Sequence, residues 1–421
     1  MSDWTTYSKE ELLELKAETQ KRYDEYKAKG LKLDLSRGKP GSDVLDLSNG
    51  LLGALDTYKS ENGTDIRNYG VPTGLPEAKK LFSDLLGIPA ANLIVGGNSS
   101  LTHMYNVFAF LHLFGPKGFA PWSKQKVKIL CPCPGYDRHF TLTDDFGAEM
   151  VVVPLKEDGP DMDLVEKLAA EDESVKGIWI IPLYSNPTGG IISSEKAKRL
   201  ASMKTAAKDF RIFWDNAYGV HHIWEKNTAP DILKLTAEAG NADRAYYFFS
   251  TSKINFPGGG IGLVAASEEN VAELAAHYAK ATIGFDKIIQ LKTVKFFGNA
   301  DGIVAHMERI AELLRPRFDH VLGTLHKEFS GTGLLTWTPP KGGYFVSVDT
   351  LPGCAKAVVA LAKDAGVVLT GAGATYPHKA DPNDSNIRIA PTYPDLDELE
   401  ETMELLVLCI KLVSIDKLLE V

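Results

Sequence analysis

Residues 244–267 read RAYYFFSTSKINFPGGGIGLVAAS. Two apolar runs, RAYYFFS and GIGLVAAS, flank a loop that holds one lysine, Lys253, between hydroxyls and a run of glycines. Neither run alternates polar with apolar residues. Near-continuous hydrophobicity of this kind marks strands covered on both faces, as in the sheets of α/β proteins. A lysine just past such a strand costs free energy when its charge leaves water. It is tolerated as a surface residue, as one half of an ion pair, or as a group consumed in chemistry.

The same texture recurs outward from this stretch, in VKILCPC (127–133), AEMVVVPL (148–155), GIWIIPL (177–183) and RIFWDNAY (211–218). Helical patterns lie between these runs, for example SSEKAKRLASMKTAAKDF (193–210), capped by Ser193 or Ser194. The alternation predicts an α/β fold with a mostly parallel sheet and crossover helices. Near the N-terminus, Ser8 and Glu11 form a capping box that opens a charged helix ending near Gly30. A short strand and turn follow in LKLDLSRGKPG. Residues 301–329 read as one long helical stretch that Pro316 is expected to kink or split. After it the rhythm changes to a strand in GGYFVSVD, a helix in AKAVVALAKDAG, strands in VVLTG and NIRIAP, and a final helix from Asp395. The expected division is a large domain over residues 51–300 and a smaller α+β domain built from residues 301–421 and the N-terminal residues 1–50. No low-complexity linker separates them, so tight packing is expected.

Bulk properties narrow the function. A net charge of −9 over 421 residues argues against nucleic acid as a partner. No run approaches the ~20 apolar residues that cross a bilayer, and the N-terminus lacks the basic and apolar regions of a signal peptide. A cytoplasmic protein with no membrane partner is expected. The four cysteines do not form a disulfide framework or a zinc pattern, and they read as small buried thiols. His221 and His222 are adjacent, a poor spacing for a shared metal, so no metal site is expected.

Two nucleotide motifs fail. GGGIGL places a leucine where the third glycine of a dinucleotide fingerprint belongs, and it leads into a strand. No phosphate-loop motif with its lysine occurs. What survives is a set of polar groups at strand ends, where an open α/β sheet forms its ligand crevice. GGNSSL feeds a helix, and its amides with Ser99 and Ser100 suit a phosphate, though a simple helix cap reads the same way. Asp215 ends an apolar strand and needs a cationic partner, which a pyridinium N–H, an ion pair or a capping role would supply. Lys253, with Ser250 and Ser252 before it, could form a Schiff base if desolvated, or serve as a phosphate-binding or surface lysine. Asn186 lies in YSNPTGG. Tyr218 could bond a phenolate oxygen and Tyr136 could stack on a flat ring, or both could be core aromatics. Singly each signal is weak. Together they describe a ring, a ring nitrogen, a phenolate, an aldehyde and a phosphate, which are the parts of pyridoxal phosphate.

In order along the chain, RNYGVPTGLPEAKKLF, PGYDRHF, SNPTGG, DNAY, STSK, GGYFVSVD and NIRIAP resemble the class I aminotransferases of pyridoxal-phosphate fold type I. The likeness is nearest the aspartate aminotransferase branch called subgroup Ic. It implies a seven-stranded, mostly parallel sheet in the large domain. It implies that Lys253 is the Schiff-base lysine and proton shuttle. Asp215 would hold the pyridine nitrogen protonated, and Asn186 and Tyr218 would bind the ring oxygen. Tyr136 would stack on the ring, and Ser99, Ser100 and Ser250, with Ser252 beside them, would hold the phosphate. Tyr69 would reach the phosphate of a neighbouring subunit, which makes the active unit a homodimer. Arg388 would clamp the substrate α-carboxylate beside the Gly38 backbone.

One departure stands out. Many class I enzymes carry a phosphate-binding arginine where this chain has Gly260. A dicarboxylic substrate would need a second cation, for which Arg37, Lys39 and Arg138 are candidates and Arg37 is favoured. The implied activity is ping-pong transamination between aspartate and 2-oxoglutarate. The same cofactor residues would also serve alanine or aromatic donors or a β-eliminating lyase. A ligand-sensing regulator with an aminotransferase-like domain is a third reading. Only ~50 residues precede the first α/β motifs, too few for its DNA-binding domain.

Overall fold

The structure, a computed structural model, describes residues 3–36 and 38–420. In chain order its strands are β1 (Leu33–Leu35), β2 (Leu93–Val95), β3 (Lys128–Cys133), β4 (Glu149–Lys156), β5 (Gly159–Pro160), β6 (Val175–Ile180) and β7 (Arg211–Asp215). They continue as β8 (Ala245–Ser250), β9 (Gly262–Ala265), β10 (Leu335–Thr338), β11 (Val346–Thr350), β12 (Val367–Leu369) and β13 (Asn386–Ile389).

The large sheet runs β2-β9-β8-β7-β6-β3-β4-β5. Seven of these strands match the expected number, and the eighth is the two-residue β5, which folds back on β4. Pairing is parallel from β4 through β3, β6 and β7 to β8. β9 is antiparallel to both β8 and β2. It can be so because the Lys253 loop returns the chain directly, without the helical crossover a parallel partner needs.

Every residue of β6, β7, β8 and β9 is buried. Their side chains alternate between two cores. Ile212 and Trp214 join one and Phe213 the other, while Tyr247 and Phe249 oppose Tyr246 and Phe248. A strand points successive side chains to opposite faces. With helices packed on both sides, each face must be apolar, which explains the unbroken hydrophobic runs. The four cysteines are free and buried.

Two elements differ from the sequence pattern. The helix over Ala300–Phe329 runs unbroken through Pro316. Leu314, Phe318 and Val321 on either side of it sit in the main core, and this packing holds the element together despite the missing hydrogen bond. The helix that Ser193 caps ends at Ser202, well short of Phe210. Its last carbonyls are taken by tertiary donors: Arg244 Nη1 donates to Ala201 O at 3.2 Å and Met203 O at 2.9 Å, and Asn241 Nδ2 to Ala201 O at 2.9 Å. Side chains from another loop thus satisfy the helix end.

β10, β11 and β13 form a small antiparallel sheet. β1 pairs with β12 in parallel and ties the N-terminal segment to the C-terminal region. The helix Lys9–Ala28 is fixed there by Tyr23 Oη, which donates to Leu361 O at 2.9 Å. The carboxyl ends of β6, β7 and β8 carry Asn186, Asp215 and the Lys253 loop to one end of the large sheet, where the Gly38 segment and β13 meet them.

Candidate active site

A cavity of about 450 Å³ opens at these strand ends. Its wall includes Tyr136, Asn186, Tyr218, Lys253, Phe345 and Arg388. Asp215 lies beneath, only 2 % exposed, at the last position of β7. Its Oδ1 accepts from Ala217 N at 3.2 Å and its Oδ2 lies 2.9 Å from His139 Nε2.

Lys253 follows β8 in a turn. Its ammonium sits 5.0 Å from the Tyr218 ring centroid and 5.8 Å from that of Tyr344. Burial lowers its pKa from the ordinary lysine range, Asp215 opposes the shift, and Arg388 adds to it. The turn is anchored by His221, whose Nε2 lies 3.3 Å from Lys253 O. Burial, and then the charge of Lys253, pulls His221 down to about 3. The ring is therefore neutral and donates to that carbonyl. Burial raises the Tyr218 and Tyr136 phenols well above their usual range.

Arg388 comes from β13 and is 7 % exposed. Its Nη1 donates to Asn186 Oδ1 at 3.1 Å and lies 3.4 Å from Asp137 Oδ1, and its Nη2 donates to Thr370 Oγ1 at 3.3 Å. The guanidinium carbon lies 4.6 Å from the Phe345 ring centroid, and Nε has no acceptor. Arginine offers only donors, so Asn186 must turn its oxygen to it and its amide nitrogen away. Gly38 lines the same cavity. A Cβ there would lie 2.3 Å from Phe345 Cζ, so only glycine admits this approach.

The serines gather to one side rather than on the cavity wall. Ser99 caps the helix Ser100–Phe114, accepting from Thr102 N at 3.2 Å. Ser250 Oγ donates to Ser252 Oγ at 3.1 Å, and Ser252 Oγ to Asn98 O at 3.4 Å. Hydroxyls from the end of β8 therefore meet the amino end of a fifteen-residue helix. Tyr69 is 81 % exposed and stands apart from this group within one chain. Arg37 lies outside the described residues. Lys39 places its ammonium 3.8 Å from the Tyr393 ring centroid, whereas Arg138 lines the cavity.

Sequence reasoning missed His139, Thr370 and Lys379 and gave His221 no place in the site; Thr370 and Lys379 also line the cavity. His139 had a signal. It follows Tyr136 by three residues, and that spacing puts both on one face if a helix begins there, as the helix Asp137–Asp145 does. The ring stacks on Trp179 with centroids 4.3 Å apart.

The family described as "Aspartate amino-transferase" matches residues 7–421. This chain belongs to the aspartate aminotransferase family. An aspartate aminotransferase of Corynebacterium glutamicum is 44% identical over 399 residues, spanning 94% of this chain and 92% of that one. The crystal structure of an aspartate transaminase from the same species superposes with a TM-score of 0.96 at 43% identity, covering 99% of both chains. An α-aminoadipate aminotransferase of Thermus thermophilus, solved with N-(5'-phosphopyridoxyl)-L-leucine, shares the fold at a TM-score of 0.76 and 21% identity, covering 91% of this chain and 92% of that one. The chain is thus an aminotransferase of the pyridoxal-phosphate-dependent class. In this aminotransferase Gly260 is closely packed: a Cβ there would lie 2.6 Å from Thr251 Oγ1 and 3.1 Å from Asn255 Oδ1. Among the described residues no helix is long and apolar enough to cross a membrane.

Proposed function

We propose that this aminotransferase moves the amino group of aspartate to 2-oxoglutarate in two ping-pong half-reactions, in a site that holds pyridoxal phosphate. One observation carries the reading. A desolvated amine, Lys253, and a buried guanidinium, Arg388, share one cavity above a buried carboxylate, Asp215.

The donor set fits the cofactor. Asp215 is a buried acid whose second oxygen is backed by His139, suited to a ring N–H. Tyr136 offers a ring face, and the Tyr218 phenol and Asn186 amide nitrogen offer donors to a ring oxygen. The serine hydroxyls and the helix start at Ser100 suit a phosphate. When bound, the cofactor supplies an aldehyde for the amino group and an electron sink for the substrate Cα. Lys253 is the amine that would hold that aldehyde at rest. Its lowered pKa lets the neutral amine take the proton from the substrate Cα as a base and give one back as an acid. Asp215 presents its carboxyl group beneath the site, and His139 holds it in place. Arg388 grips the α-carboxylate by a two-point fork, its geometry set by Asn186, Thr370 and Phe345.

Aspartate and 2-oxoglutarate both carry a second carboxylate. Arg138 lines the cavity and makes no ion pair among the described residues, which supports a dicarboxylic substrate. The wall combines Tyr136, Asn186 and Lys253 from residues 51–300 with Gly38 and Arg388 from the N- and C-terminal parts, which supports a two-domain division with the site between. The exposure of Tyr69 supports a homodimer in which it completes the other chain's phosphate site.

The test is a panel of amino donors mixed with purified holoenzyme, followed by absorbance and by keto-acid release. Aspartate and glutamate are expected to complete a half-reaction, alanine and aromatic donors to lag. Absence of a half-reaction with aspartate overturns the reading.

A further inference from the structure

At the opposite end of the large sheet a second cavity, of about 220 Å³, opens beside the first residue of β7. Lys117, Lys208, Arg211 and Arg244 line it, together with Asp243 and Glu269. Both acids are engaged. Glu269 pairs with Lys117, and Asp243 accepts from Ser267 Oγ. Among the described residues Lys208, Arg211 and Arg244 have no carboxylate at ion-pair distance.

Arg211 is only 5 % exposed. Its Nη1 donates to Phe210 O at 3.0 Å and its Nε has no acceptor. Glu273 and the Tyr246 hydroxyl also face it, with Glu273 beyond ion-pair reach. Arg244 gives its Nη1 to the two carbonyls that end the neighbouring helix. Burial, and then the charge of Arg211, lowers its pKa. Two guanidiniums side by side without a carboxylate at ion-pair distance are costly, the more so in a chain whose net charge of −9 leaves acids to spare. Arginine forks match tetrahedral oxyanions, and a bound anion would offset the repulsion.

We propose that this cavity is a binding site for a phosphate-class oxyanion, gripped by Arg211, Arg244 and Lys208. Its volume admits a phosphoryl group or a short phosphate ester. The site is separate from the catalytic cavity. Arg211 and Asp215 stand at opposite ends of β7, four residue steps or roughly 13 Å apart.

The test uses holoenzyme, with cofactor in place so that its phosphate subsite is filled. Calorimetric titration with orthophosphate, at fixed ionic strength and with chloride as control, is expected to give saturable binding. Arg244→Gln and Lys208→Ala should each weaken it by about tenfold or more, the loss of one charged hydrogen bond. Lys208 is exposed, so its variant keeps the test should Arg244→Gln fail to fold. Tighter binding of glycerol phosphate than of orthophosphate would mark a phosphorylated metabolite as the occupant, and the reverse order the free ion. Absence of saturable binding, or unchanged affinity in the folded variants, overturns the proposal. In the latter case the ion would sit at Arg388 instead.

Discussion

His139 Nε2 lies 2.9 Å from Asp215 Oδ2, and both residues are buried. The pair joins the helix that follows Tyr136 to the end of β7, with the imidazole wedged against Trp179. A buried carboxylate with few donors is held by whichever partner remains. His139→Phe removes a hydrogen bond to a charged group, so kcat should fall roughly 10- to 100-fold while KM changes little. Asp215→Ala should cost more, roughly 100- to 1000-fold, with cofactor still bound. Steady-state kinetics with a cofactor absorbance check separates the two. Near-normal turnover in Asp215→Ala would remove the electron-sink role.

Lys253 carries a pH signature. Its folded pKa lies below the unfolded value of ~10.4, so the buried charge destabilises the fold wherever both states are protonated. As pH rises through the lowered folded value, the native amine gives up its proton first and stability increases with pH. Cofactor-free Lys253→Met should therefore melt above cofactor-free wild type at neutral pH. The gap should close as pH climbs toward the unfolded value. A gap that widens with pH would mean that the amine is stabilised as a cation. The same variant should lose the cofactor absorption band, and a retained band would assign the bond to another lysine.

Much of this site was legible because each chemical group follows an apolar run. Asp215 ends RIFWD and Lys253 trails RAYYFFS, and strand hydrophobicity alone fixes where those runs stop. The antiparallel course of β9 was less visible, since a buried strand has the same texture in either direction. Tertiary partners were less visible still. The donors that end the helix at Ser202 come from Asn241 and Arg244, and no local signal in SMKTAAKDF announces them. His139 was readable from its spacing to Tyr136, whereas His221 gained its role from a contact with the Lys253 carbonyl, 32 residues away.

Arg388 reaches three polar partners and the face of Phe345, and it lines the cavity. Arg388→Lys replaces a planar fork with a point charge. KM for aspartate and for 2-oxoglutarate should rise together, by roughly 10- to 100-fold, because both carry the α-carboxyl group. A change confined to one of the two substrates would move the clamp elsewhere.

Gly38 tests how the fork is aimed. A Cβ at this position meets Phe345 Cζ at 2.3 Å, so Gly38→Ala must push the ring away from its place under Arg388. Overpacking of this kind costs about 1–3 kcal/mol. Substrate KM should rise with the loss of Tm. Gly38→Ala with unaltered KM and Tm would show that the ring has room to move.

Gly260 poses the converse question, since an arginine stands at this place in many class I enzymes. Here the Thr251 hydroxyl fills the space, accepting from Ile261 N at 2.8 Å and lying 2.6 Å from where a Cβ would begin. Gly260→Arg must break that bond or shift the turn that carries Lys253. It should lower stability by about 1–3 kcal/mol and weaken cofactor retention rather than improve it. The expected phosphate anchors are instead Ser99, Ser250 and Ser252 with the helix start at Ser100, so Ser250→Ala should raise the cofactor Kd several-fold. Equilibrium dialysis of the cofactor against both variants checks this. Tighter retention in Gly260→Arg would show that the missing arginine is a loss the serines do not make good.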